Sequence, residues 1–319
     1  MLPGMPKRAT PVEWLVFAAL GFAWGSSYLF IKIGVETLTP FVLVAGRLAI
    51  GAAVLALVML IRHQRMPRAR RIYGHMVIVA LLGIVIPFSL ITWGEESIDS
   101  GLAAILNGTV PLFAIVLAAM VLVDEPITVN RLLGLATGFI GVVVLTSPSF
   151  EHGLGGSLPG ELALIGSAVS YGAAGVYARR TVPDLAPLPS AFLEVGFAFV
   201  ITLLLALIFG DPLSTRVEWS TVLSIAWLGL VGSGLAFLAF FFILGRWGAT
   251  RTSMVAYLLP VVGIVLGVTV RGESVSMPVL AGMVLIIAGV AVANIRWGHR
   301  RLIGRREPLA AEVAILEQD

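Results

Sequence analysis

The fold class predicted is an all-α polytopic membrane protein, with ten transmembrane helices arranged as two inverted five-helix repeats. Three observations predict it. The 319 residues are 58% apolar and 12% charged, with a mean hydropathy of +1.00; soluble domains carry about twice that charge. Ten apolar runs each have the length needed to cross about 30 Å of hydrocarbon. The second half of the chain also echoes the first at offsets of 147 to 149 residues.

In chain order the runs lie near 13–33, 40–61, 74–94, 98–122, 129–146, 160–178, 188–209, 220–243, 250–270 and 277–295. In lipid each backbone group must bond within its own element, so the runs are helices. The first follows Lys7 and Arg8 but lacks a small-residue cleavage site, which predicts a retained span rather than a signal peptide. The connections are short except 62–73 and 147–159. The latter, SPSFEHGLGGSLP, reads as a flexible linker between repeat 1 (12–146) and repeat 2 (160–296), with a tail at 297–319.

The echo is weak in letters and consistent in register. Trp24-Gly25 matches Tyr171-Gly172, Lys32 matches Arg179, Pro40 matches Pro187 and Arg47 matches Glu194, all at 147. Gly83 and Gly232, Phe88 and Phe237, and Pro111 and Pro260 match at 149. Glu125 and Glu273, Gly134 and Gly282, and Gly141 and Gly289 match at 148. A repeat near half the chain length means two copies of one membrane unit. Five spans per copy is an odd number, so the second copy enters the membrane from the opposite side.

The residues of WGSSYLFIK at 24–32, Arg47 within FVLVAGRLAIG, and the P…DEP and P…GES stretches with their following glycines resemble the drug/metabolite transporter superfamily. The likeness is to its ten-helix branch with two EamA-type repeats and covers roughly residues 12–295. It implies transport and says almost nothing about substrate.

Charge sets the expected orientation. Of 21 Lys and Arg, 17 fall on the side of the N-terminus, three (Lys32, Arg216, Arg271) on the other, and Arg47 within the membrane. That bias predicts an inner-membrane protein with both termini cytoplasmic. The net charge of +3 is therefore a topology signal and not a nucleic-acid footprint. The basic tail reads as a cytoplasmic anchor.

Several residues stand out as site candidates. Pro111 and Pro260 each free a carbonyl near mid-membrane, beside Asn107 and Tyr257. Both a cavity wall and plain helix kinks are open readings. Trp24, Tyr28 and Tyr171 lie inside their spans, away from the interfaces where such rings usually sit, and suit stacking on an organic solute as well as core packing. Arg47 and Glu194 are the clearest intramembrane charges, and such charges are functional candidates by default. Each lies seven residues past its matched proline, about 10 Å deep. Inversion offsets their backbones by a similar distance, so no direct ion pair is expected, and each has a packing role as its alternative. Glu125 and Glu273 read as caps for the helices that follow them, and the glycines of the fifth and tenth spans as packing seams.

No catalytic, nucleotide or metal motif is present, there is no cysteine, and the four histidines lie in loops or at helix edges. The expectation is a secondary transporter without cofactor or metal, and not an enzyme. Its partners are a small-molecule substrate and the lipid bilayer, with no nucleic acid and a homodimer left open. The resemblance implies export of an amino-acid-like metabolite or a drug, with Glu194 available for proton coupling. Rival readings are a facilitator or importer of the same fold, an intramembrane enzyme, and a scaffold.

Overall fold

A computed structural model describes residues 9–122, 127–150, 157–210, 218–294 and 301–303. Ten long helices are present: α1 Pro11–Gly34, α2 Pro40–Ile61, α3 Arg70–Gly94, α4 Ser100–Val121, α5 Val129–Phe150, α6 Leu158–Thr181, α7 Pro187–Phe209, α8 Trp219–Gly248, α9 Met254–Arg271 and α10 Met277–Asn294. Nine are long and apolar enough to cross a membrane, and α6 is the exception. Glu161, Arg179 and Arg180 lower its hydropathy: Glu161 is buried and held by Ser149 and Ser157, Arg179 and Arg180 are exposed in the last turn, and the helix packs among α3, α4 and α5. Ile127–Thr128 and Arg301–Ile303 form a short antiparallel ladder, the one extended pairing among the described residues. Glu125, the centre of the linker and most of the basic tail lie outside the described residues.

Local chemistry fixes the helix ends. Thr10 and Glu13 cap α1 reciprocally, with Pro11 in its first turn. Prolines also open α2, α6 and α7. Gly272, at φ 69°, ends α9 in the left-handed conformation that glycine adopts without strain.

The near face is defined here as the side on which α1 begins. The far face gathers the end of α1 and the starts of α4, α6 and α8. There Thr37 bonds Thr221, Lys32 bonds carbonyls after α3, and Glu273 bonds the first turn of α4. At the near face the start of α1 meets the end of α8 through Glu13 and Arg246. The start of α3 meets the end of α6 through His75 and Tyr177. Thus α1 runs from near to far and α6 from far to near, and the repeats are inverted.

Matched contacts repeat across the two halves. A β-carbon built on Gly25 of α1 would lie 2.5 Å from Val262 of α9. One built on Gly172 of α6 would lie 2.9 Å from the Ala114 nitrogen, at the Phe113–Ala114 link of α4. Val262 follows Phe113 by 149 residues. Only glycine permits these approaches. The glycines of α5 and α10 form a second seam, where a β-carbon on Gly134 would lie 2.5 Å from the Gly289 carbonyl. Large apolar side chains such as Leu60, Met120, Ile208 and Val284 are exposed on the outer surface, as a lipid-facing surface requires.

Candidate functional site

A cavity of about 350 Å³ sits at the junction of the two repeats. Helix α1 gives it Trp24, Ser27, Tyr28 and Ile31, which share one face at helical spacing. The adjacent face carries Gly21 and Gly25, so α9 packs closely there and fixes how α1 is turned. Asn107, on α4, donates from Nδ2 to the Tyr28 hydroxyl at 2.5 Å, and Ser167 of α6 donates to Asn107 Oδ1 at 3.4 Å. Three helices therefore hold one amide. Tyr171 of α6 and Phe88 of α3 meet edge to face at 6.5 Å, and Trp24 lies 5.5 Å from Phe240 of α8. The wall is mostly apolar, with a few polar groups directed inward, which is the usual build of a small-molecule site.

Arg47, only 3% exposed, lines this cavity. Its Nε donates to Ser233 Oγ at 3.3 Å, and its guanidinium lies 4.2 Å from the centroid of the Phe88 ring. It has no carboxylate partner among the described residues. Glu194 is half-buried, and its carboxyl lies over Gly83, where a β-carbon would be 2.5 Å from Oε1. Arg47 lies over Gly232 in the same way, where a β-carbon would be 3.4 Å from the guanidinium. The two charges thus take equivalent places against matched glycines on α8 and α3. Both glycines lie in π-helical turns, Leu81–Val85 and Trp227–Leu235. Such turns often mark functional positions, and sequence reading did not see them because one extra residue per turn leaves no compositional trace. No ion pair joins Arg47 to Glu194.

The prolines act differently in the two halves. Helix α4 breaks at Gly108 and Thr109 and restarts with Pro111 in its first turn. Helix α9 begins as a 3₁₀ turn, Ser253–Tyr257, before Pro260. The two breaks face each other: a β-carbon on Gly108 would meet Pro260 at 3.2 Å.

Trp24, Tyr28, Asn107 and Tyr171 all line the cavity, and Tyr257 does not. At the 149-residue offset of Pro111 and Pro260, Ala256 stands where Asn107 stands in the first repeat, and Tyr257 is one residue further round the turn. Val255 and Ala256 therefore face the cavity, while Tyr257 turns to α10, where Asn294 donates to its hydroxyl at 3.4 Å. It packs there beside Leu112, Leu135 and Val290.

The far face carries a polar cluster that the sequence reading passed over as a short connection. Lys32 Nζ donates to the carbonyls of Glu95 and Ile98, at 2.7 and 2.8 Å. Glu95 is fully buried, and burial pushes its carboxyl well above the usual carboxylate range; Lys32 opposes that shift and Glu273 adds to it. Glu273 accepts from the Ser100 and Gly101 amides, each at 3.0 Å, and from Ser100 Oγ at 2.7 Å. It therefore caps α4, and not α10 as the sequence predicts. The distance along the chain misled: the α4 terminus is reached only across the repeat junction. At the near face, Glu13 accepts from Arg246 and from Trp247 Nε1, both at 2.9 Å.

A profile of the EamA-like transporter family matches residues 12–147 and again 158–295. The chain belongs to the EamA-like transporter family. Relatives described as transporters cover about nine tenths of it. YedA of Escherichia coli (strain K12), described as an uncharacterized inner membrane transporter, is 29% identical and covers 90% of this chain and 92% of its own. YoaV of Bacillus subtilis, an uncharacterized transporter, is 24% identical over 88% and 95%. A probable terminal-alkyne amino-acid exporter of Streptantibioticus cattleyicolor is 28% identical over 89% and 92%. A protein of known crystal structure shares the fold, with a TM-score of 0.63 and 22% identity over 89% of this chain and 98% of its own. As an EamA transporter, the protein is a multi-pass membrane protein that takes a small-molecule substrate.

Proposed function

We propose that this transporter exports a small organic metabolite, amino-acid-like or drug-like, by alternating access, with the central cavity as its substrate site. The observation that carries this reading is the cavity: about 350 Å³ of mainly apolar wall, crossed by the Tyr28–Asn107 hydrogen bond and holding Arg47 without a carboxylate partner. The aromatic side chains suit an apolar body, and Arg47 and Asn107 suit a polar head. The relative named as a probable amino-acid exporter favours amino-acid-like cargo and outward direction. The side on which α1 begins is cytoplasmic on this reading, from the 17-to-3 distribution of Lys and Arg. Glu194 is the coupling residue: it is half-buried beside Gly83 and has no hydrogen-bond partner among the described residues, so a proton can neutralise it during the cycle.

The test is a thermal-shift screen of purified protein against amino acids, nucleosides, polyamines and drugs. A ligand at 100 times its Kd stabilises by about 2.7 kcal/mol and raises the melting point. The same ligand should leave the melting point of a Trp24→Ala/Asn107→Ala variant unchanged. An undiminished shift in that variant would move the site elsewhere.

A further inference from the structure

The far-face cluster contains a carboxyl that the proposed substrate site does not use. Glu95 follows the last residue of α3 as its C-cap, is fully buried, and neither of its carboxyl oxygens has a hydrogen-bond partner. Its position compounds the problem. The C-terminal end of a helix presents carbonyls and partial negative charge, which repel an anion. Lys32, the nearest cation, directs its ammonium to the backbone carbonyls of Glu95 and Ile98 instead of to the carboxyl. An ionised side chain here would be a buried charge without a donor; the neutral acid is far less costly.

The charged and titratable groups around it are few. Helix α1 offers Lys32 and Tyr28, and α2 offers Arg47. The segment after α9 offers Glu273, already held by Ser100 and Gly101. Glu161 of α6 turns to Ser149 and Ser157. Glu96 and Asp99 lie on the same connection as Glu95. Neither Lys32 nor Arg47 forms an ion pair with Glu95.

Glu95 lies five residues before Ser100, where the far half is sealed. A β-carbon on Gly263 would lie 2.4 Å from that of Ala104, and one on Gly101 would lie 3.3 Å from the Ile264 backbone. Glu273 clamps the same turn. Parting α4 from α9 would release Ser100 and Gly101 from Glu273, the acidic neighbour of Glu95, and open the turn that follows it. Water then reaches the carboxyl, and Lys32, once freed from its two carbonyls, is within reach of the anion.

We infer that Glu95 is a proton-binding site of the transport cycle, loaded while α4 is packed on α9 and emptied to the far side when they part. On opening, the proton passes from the carboxyl to water on that side; on closing it returns, and no other bond changes. The inference rests on the alternating-access reading.

The chain has no cysteine, so one introduced thiol is a unique reporter. Ala103→Cys places it on the first turns of α4, fully buried in this conformation. Its alkylation in proteoliposomes by an impermeant maleimide added at the far face is measured from pH 5.5 to 8.5. The exposed position Glu218→Cys corrects for thiol ionisation. The corrected rate should rise at least tenfold with pH. Glu95→Gln should make it slow and flat, and Lys32→Gln should move the midpoint to higher pH. A flat wild-type background, or an unchanged rise in Glu95→Gln, overturns the inference. Should Glu95→Gln fail to fold, a midpoint unmoved by Lys32→Gln overturns it as well. A carrier in which Glu95 is inert labels at a pH-independent rate, whereas a chain that does not alternate never labels, so the two failures are distinguishable.

Discussion

The far and near halves of the membrane region are built from matched parts and differ in one contact set. Gly25 against Val262 and Gly172 against Ala114 are common to both, as are Arg47 over Gly232 and Glu194 over Gly83. In the far half, α4 also packs on α1 and α9, and Lys32 and Glu273 bind across these junctions. The equivalent near-half packing of α9 on α6 and α4 is not formed to any comparable degree among the described residues. Charge differs as well: Leu244 stands where symmetry would repeat Glu95, 149 residues on. The shared contacts define a scaffold that inversion preserves, and the unshared ones mark what has to move if the halves exchange roles.

The strongest way to break this comparison is to strike both kinds of contact. Gly172→Leu forces a side chain into a backbone crossing and should cost about 3 kcal/mol or more. The yield of monodisperse protein in detergent should collapse. Gly263→Leu strikes the unshared crossing and should leave folded protein whose Ala103→Cys reporter labels from the far face at every pH. Equal loss of folded protein in both would erase the line between scaffold and moving part.

The matched charges allow a second test. Glu194→Gln should abolish stimulation of substrate flux by an imposed pH gradient in proteoliposomes, while exchange of substrate down its own gradient persists. Equal stimulation in variant and wild type would remove Glu194 from coupling. Arg47→Gln removes the bond to Ser233 and the contact with Phe88, and should destabilise by about 1–3 kcal/mol. Its melting temperature should fall by several degrees before coupling changes. If coupling fails at an unchanged melting temperature, Arg47 belongs to the mechanism.

The smallest expected effect is at Tyr28. Tyr28→Phe leaves the Asn107 amide without its acceptor and keeps the ring. A loss of about 1 kcal/mol predicts roughly fivefold weaker substrate binding by the thermal-shift titration, with folding intact.

The spans and the repeat were legible because membrane burial imposes length and polarity on every residue, and inversion leaves constant offsets. The cavity was partly legible, since an aromatic or amide inside a span is conspicuous against aliphatic neighbours, as Trp24, Tyr28, Asn107 and Tyr171 are. Tyr257 has the same chemistry, but the 149-residue register puts Ala256 at the place of Asn107, and Tyr257, one residue on, turns to α10. Glu95 was hidden for the opposite reason. Acidic residues between two apolar runs read as solvent-exposed connection, whereas α6 packs against the end of α3 and Lys32 of α1 holds the connection down, and Glu95 is buried.

Helix α6 carries one more consequence, for the order in which the chain is made. Among the ten long helices of the described residues it is the least apolar, and it packs on α3, α4 and α5. All three precede it in the chain, so its partners are already in the membrane when Leu158–Thr181 leaves the ribosome. The first half thus serves as host for the first helix of the second. A permuted chain beginning at Leu158 would offer this segment to lipid with no partner synthesised, and its failure would come at insertion, before any packing was attempted.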